Sequence, residues 1–129
     1  MLKVKIMKTV LSIEDNFSTQ NDIRNAVTKK FNFVSIKDNF DEIAANDILK
    51  INPDLILLDI QLCGRDDKTG IEIARRLRQN NTEVPIIMFS LNGEYRELLL
   101  REKLCNTFIQ KPCDIEQILA EIEDFLPLC

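Results

Sequence analysis

Apolar residues in this chain fall in short unbroken runs separated by stretches with helical spacing. The run 8–13 (KTVLSI) is rich in β-formers and reads as a buried strand. LILLD (55–59) is a continuous apolar run, as expected for a central strand of a parallel sheet. PIIMF (85–89) and TFIQ (107–110) read as two further strands, and FVSIK (33–37) alternates as a strand more exposed on one side. Between them, Ile23 and Val27 lie four apart and predict a helix over about 17–30. Asn39 and Glu42 form a capping-box pattern that opens a helix through Phe40, Ile43, Ala44, Ile48 and Ile51, stopped at Asn52-Pro53. Thr69 and Glu72 form another, ahead of a helix through Ile73, Ala74 and Leu77. Asn92 is placed to cap a helix containing Leu98, Leu99, Leu100 and Leu104. Asp114 and Gln117 open a last helix through Ile115, Ile118, Leu119, Ile122 and Leu126. Alternating strand and helix, without repeats or low-complexity linkers, predicts an α/β domain with a parallel sheet and helices on both faces. It spans 1–129 as a single unit, with residues 1–7 readable as an N-terminal extension because Met7 could start the working fold.

The strand ends carry the chemistry. TVLSI runs into Glu14-Asp15, LILL into Asp59, PIIMF into Ser90, and TFIQ into Lys111-Pro112. In an open parallel α/β sheet the carboxyl ends of the strands line the ligand crevice, so carboxylates, a hydroxyl and an ammonium converge. Glu14-Asp15 is either an acidic helix entrance that complements the helix dipole or a pair of hard oxygen ligands suited to Mg²⁺. Asp59 is either a turn former or a carboxylate nucleophile toward phosphorus, with Lys111 and Ser90 as donors to phosphoryl oxygens.

Composition narrows the choice. The chain is 45% hydrophobic and 29% charged, a folded globular balance, and its net charge of −4 argues against bulk nucleic-acid binding. It has no His, which excludes Ser-His-Asp and Cys-His catalysis and His metal sites. Cys63, Cys105, Cys113 and Cys129 include no Cys-x-x-Cys pair and read as reduced thiols. MLKVKIMK lacks the apolar core of a signal peptide, and no run is long enough for a membrane span, so the expected location is cytoplasmic.

Taken together, IEDN (13–16), DLILLDI (54–60), Ser90 at the end of the fourth strand and FIQKP (108–112) resemble the receiver domains of bacterial two-component response regulators over nearly the whole chain. The resemblance implies a flavodoxin-like (βα)5 doubly wound sheet in strand order 2-1-3-4-5. It implies that Asp59 accepts a phosphoryl group from a His on a partner sensor kinase or histidine phosphotransfer protein. Mg²⁺, with Mn²⁺ as a substitute, would sit on Glu14, Asp15, Asp59 and the backbone carbonyl of Gln61. Lys111 would pair with the phosphoryl group, Ser90 would move to bond it, and Phe108 would reorient. Pro112 would follow a cis bond, and Gln61, Leu91 and Asn92 would tune the pocket. The expected role is that of a signalling switch and not an enzyme, remodelling its helix 4/strand 5/helix 5 surface to control a downstream protein or a phosphorylation-dependent homodimer.

The chain also departs from the usual receiver. Cys63 stands where many receivers have Pro, and the loop Gly64–Thr69 is longer, with Asp66 and Asp67 inside it. Leu91 is bulkier than the Ala or Gly often found after the switch residue. Rivals fare less well. A haloacid-dehalogenase-like phosphatase wants a second acid where Gln61 stands, and a flavodoxin phosphate would meet Glu14-Asp15. G-x-G-x-x-G is absent, and DNA binding has no helix-turn-helix to support it. The alternative is an interaction module on the same fold that is never phosphorylated. Finally, successive helical residues are about 100° apart, so Leu98, Leu99 and Leu100 cannot all face the sheet, and one is expected outward beside Phe108.

Overall fold

The computed structural model describes residues 7–38, 40, 45–62, 68–80 and 83–128. Strands β1 (Thr9–Ile13), β2 (Asn32–Ile36), β3 (Leu55–Asp59), β4 (Ile86–Ser90) and β5 (Thr107–Gln110) form one parallel sheet in the order β2-β1-β3-β4-β5. Helices α1 (Phe17–Val27), α2 (Ala45–Ile51), α3 (Thr69–Gln79), α4 (Arg96–Arg101) and α5 (Ile115–Phe125) connect and follow them. The architecture is the doubly wound (βα)5 sheet expected.

Period-two alternation sorts the strand residues into two cores. Leu11, Ile13, Ile56, Leu58, Ile86, Met88 and Phe108 pack with Ile48 of α2, Ile73 and Leu77 of α3 and Leu99 of α4. Val10, Leu55, Leu57, Ile87, Phe89 and Ile109 pack with Ile23 and Val27 of α1 and Ile118 and Ile122 of α5. All five residues of β3 and of β4 are buried, since helices cover both faces there. The apolar ladder on each face therefore fixes strand register, and with it which residues emerge at the carboxyl edge.

Helix ends account for most departures from the sequence pattern. α1 begins as expected, with Asn16 Oδ1 accepting from Thr19 N at 2.9 Å, but it stops at Val27 and not at 30. Thr28 donates its hydroxyl to the Arg24 carbonyl at 2.8 Å, and Phe31 turns inward to be buried beneath the helix end. Asn52 ends α2 at φ 54°, a left-handed cap that Asn tolerates. Of the capping box expected for α2, Asn39 and Glu42 lie outside the described residues, as do Ile43 and Ala44. Thr69 is not the cap of α3; it is the first helical residue, with Lys68 before it and no side-chain cap bond. The helix entrance is secured instead by Gly70 N donating to Ile60 O at 3.1 Å. Asn92 caps a short 3₁₀ turn, Gly93–Tyr95, by accepting from Glu94 N at 3.0 Å, and α4 proper follows at Arg96. Asp114 sits at the α5 cap but uses its backbone carbonyl, which accepts from Gln117 N and Ile118 N.

The amino ends of the strands are tied together. Arg78 donates from Nε to Lys103 O at 3.0 Å, from Nη1 to Val84 O at 2.9 Å and from Nη2 to Asn106 Oδ1 at 3.0 Å. Asn106 Oδ1 also accepts from Ile86 N, and Asp54 Oδ2 accepts from Thr9 N at 2.8 Å. No helix among the described residues is long and apolar enough to cross a membrane.

Candidate functional site

Each acidic residue of the site is delivered by the strand that precedes it. Glu14 follows β1, where its backbone N donates to Ile36 O at 3.2 Å, and it is only 4% exposed. Asp59 is the last residue of β3, also 4% exposed, while Asp15 is open to solvent. Oxygens of Glu14, Asp15 and Asp59 lie within 4.8 Å of one another. Lys111, just past β5, reaches between the two buried acids, with Nζ 3.2 Å from Asp59 Oδ2 and 3.3 Å from Glu14 Oε2. The Lys111–Pro112 peptide bond is cis. These groups border an open cleft of about 760 Å³ that is also lined by Gln61, Leu91 and Asn92.

Among the described residues one ammonium faces three carboxylates, and the protonation equilibria of the two buried acids register the deficit. Burial, then the charge of Asp59, pushes the Glu14 carboxyl up to about 7, against the pull of Lys111 and the Asn16 N–H. Burial also raises Asp59, although Lys111 opposes it. Burial works against the Lys111 charge, but Asp59 and Glu14 outweigh it and hold the ammonium above its ordinary value. Asp59 Oδ1 is buried with no hydrogen-bond partner among the described residues. An uncompensated acidic cluster with an orphaned carboxylate oxygen, and no His or Cys among its donors, fits a hard divalent cation such as Mg²⁺.

Residues 10–123 match the response regulator receiver domain family. The chain belongs to that family. Over 82 residues the receiver is 33% identical to sporulation initiation phosphotransferase F of Bacillus subtilis, covering 63% of this chain and 64% of that one. It is 30% identical over 116 residues to the transcriptional regulatory protein RstA of Escherichia coli, covering 90% of this chain and 47% of RstA. The chain thus spans less than two thirds of these relatives. Among solved structures, the signal receiver domain of a LuxO repressor protein from Vibrio parahaemolyticus superposes with a TM-score of 0.78 at 20% identity, covering 94% of this chain and 91% of that one.

The remaining site residues of the receiver divide into two groups. Ser90, fully buried at the end of β4, donates its hydroxyl to Gln61 Oε1 at 2.9 Å and accepts from Asn92 N at 3.0 Å. Leu91 is 64% exposed on the cleft rim. Phe108 is not at the cleft: it is 7% exposed, packed in the core with Leu99 and Leu104, and borders a separate groove together with Leu100. Cys63, Asp66 and Asp67 of the longer loop lie outside the described residues, as do Cys129 and residues 1–6. Cys105 and Cys113 are free thiols, and burial pushes Cys105 up to about 11, which leaves it unreactive.

Gln20 is the site-supporting residue that the sequence reading passed over. It is 1% exposed, and its Nε2 donates to the Ser12 carbonyl at 3.1 Å, with the Glu14 and Ile36 carbonyls each at 3.5 Å. The side chain thereby holds the end of β1 from which Glu14 and Asp15 project. Its signal was present, because Gln20, Ile23 and Val27 share the buried stripe of α1.

Proposed function

We propose that this receiver is a phosphorylation switch in which Asp59 takes a phosphoryl group from a phosphohistidine on a partner protein. The observation that carries this reading is the state of Asp59, buried at a strand end with one oxygen 3.2 Å from Lys111 and the other without a hydrogen-bond partner among the described residues. A carboxylate oxygen of Asp59 attacks phosphorus, the P–N bond to the partner's imidazole breaks, and its electron pair leaves with the imidazole. Lys111 offsets negative charge on the transferred group, and Ser90 offers a hydroxyl to one of its oxygens. Glu14, Asp15, Asp59 and the Gln61 backbone carbonyl would hold Mg²⁺. When bound, the ion supplies positive charge that offsets repulsion between the acidic cluster and the phosphoryl group. Incubation with candidate histidine kinases and Mg²⁺ tests the reading, with phosphate released by hydroxylamine as the signature of an aspartyl phosphate. No transfer from any kinase, and none from acetyl phosphate, would favour an interaction module that is never phosphorylated.

The acidic cluster also predicts an unusual pH response. Glu14 titrates near 7 in the folded chain against 4.5 for an ordinary Glu, so the folded state holds its proton more tightly. In chelator, stability should therefore be highest near pH 5 and fall as pH rises toward 7.5, by roughly 1–3 kcal/mol. Added Mg²⁺ should restore most of this at neutral pH by binding only the folded state. Thermal unfolding across pH 5–8 checks it. Superimposable curves with chelator and with Mg²⁺ would remove the metal site.

The output surface we infer lies on α4, β5 and α5. Leu99 is fully buried, Leu98 is half-buried and Leu100 is 37% exposed, so Leu100 is the outward member of the triplet. It borders a groove of about 490 Å³ that also includes Phe108 and Gln117. Leu100→Asp should weaken association that depends on phosphorylation by about ten-fold, while phosphotransfer to Asp59 changes less than about two-fold. Sedimentation with and without beryllofluoride, alongside a transfer assay, reads both. Loss of folding would place Leu100 in the core instead.

A further inference from the structure

We propose that the Gln61 side chain is a latch that holds the switch hydroxyl of Ser90 in the resting state, an inference that rests on the phosphoacceptor reading above. A serine hydroxyl carries one hydrogen. Here it is spent on Gln61 Oε1 at 2.9 Å, inside a site where Ser90 itself is fully buried. It cannot be given to a phosphoryl oxygen until that bond breaks. Gln61 is two residues past Asp59, so the latch and the phosphorylated carboxylate belong to the same strand exit.

The latch extends toward the output surface. Ser90 Oγ also accepts from Asn92 N at 3.0 Å. Asn92 in turn holds Glu94, accepting from its backbone N at 3.0 Å and donating from Nδ2 to its carboxylate at 2.9 Å. That pairing caps the 3₁₀ turn Gly93–Tyr95, and α4 follows at Arg96. Gln61, Ser90, Asn92 and Glu94 thus make a continuous hydrogen-bonded chain from the end of β3 to the entrance of α4. Drawing the Ser90 hydroxyl toward a phosphoryl group breaks the first link and loosens the second. Gln61 is therefore a positioning residue: it acts through Ser90 and sets how strongly the unphosphorylated form is favoured. A phosphoryl group shifts the equilibrium only by its preference for the released arrangement, and the latch is subtracted from that preference.

The test is a double-mutant cycle on the full chain, with Gln61→Met and Ser90→Ala alone and together, and affinity for beryllofluoride with Mg²⁺ read by amide NMR. Met keeps the length of Gln without its amide oxygen. In the Ser90 background, Gln61→Met should tighten binding about five-fold, the order expected for removing one competing hydrogen bond. In the Ser90→Ala background the same substitution should change affinity less than about two-fold. The Asn92 amide resonance should already be displaced in free Gln61→Met, in the direction that the mimic moves it in the wild type. Equal effects in both backgrounds would mean that Gln61 acts without Ser90 and overturn the latch, as would no tightening. Gln61→Ala must give the same coupling, and failure of both variants to fold would make the contact purely structural and also overturn it. A wild-type chain that does not bind the mimic would instead overturn the phosphoacceptor reading itself, and the latch with it.

Discussion

Asp59→Asn should reduce hydroxylamine-releasable phosphate to background while the chain remains folded. The amide has nearly the shape of the carboxylate, but its oxygen lacks the charge that the proposed nucleophilic role of Asp59 requires. Lys111 keeps its bond to Glu14 at 3.3 Å when Asp59 loses its charge, so no buried cation is left alone. Glu14 also loses the neighbour whose charge helps to raise it, and should ionise more readily. The variant is therefore expected to be at least as stable as the wild type in chelator and to respond less to Mg²⁺. Unfolding curves and a phosphotransfer assay on one preparation decide the matter. Phosphate persisting at the wild-type level would remove Asp59 from the role proposed for it.

Gly70→Ala should be among the most damaging single changes in the chain. A Cβ at this position would lie 2.1 Å from the carbonyl oxygen of Asp59 and 2.7 Å from the Cα of Ile60, both backbone atoms that cannot swing aside. The first turn of α3 would have to lift from the end of β3, stretching the 3.1 Å bond from Gly70 N to Ile60 O. A cost of about 2–4 kcal/mol is expected, lowering Tm by roughly 10 °C. Gly93→Ala makes the matching control. The three atoms nearest its Cβ would all belong to the side-chain amide of Gln110, the first at 2.8 Å, and that amide can rotate away. That variant should lose less than about 1 kcal/mol. Similar melting temperatures for the two variants would refute the close approach at Gly70.

How much of this was legible beforehand follows from what kind of contact each feature needs. LILLD was read with its final boundaries because a strand covered on both faces is a nearly unbroken apolar run. TFIQ at the sheet edge was also read with its final boundaries, although only Phe108 and Ile109 of it are buried. The meeting of Glu14, Asp59 and Lys111 was legible because parallel strands bring their ends to one edge, while the Ser90 hydroxyl at the end of β4 is turned to Gln61 and Asn92. That one of Leu98, Leu99 and Leu100 points outward was legible, because helix geometry forbids three successive residues from sharing a face, but only the structure shows that it is Leu100. Capping was read less well. Thr69 and Asn92 have good capping chemistry, but the α3 entrance is anchored by backbone contact with Ile60, and a 3₁₀ turn intervenes before α4. Gly70 was visible only as a loop boundary, because the backbone it abuts lies across a turn. The bond from Ser90 to Gln61 joins side chains 29 residues apart, and no periodicity encodes it.

The fastening of the strands at their amino ends has a mechanical consequence. Arg78 staples the approaches to β4 and β5, while Asp54 closes β3 against β1. At the opposite edge, the contacts between Ser90, Gln61 and Asn92 are hydroxyl and amide bonds that a new anion can rearrange. On the switch reading proposed above, the sheet would work as a lever with a fixed fulcrum at one end. Displacement that starts at Asp59 would meet the stapled base and be directed sideways, into the β4–α4 connection. Amide exchange should show this as a gradient, slow near Ile86 and Asn106 and faster toward Leu91 and Gly93.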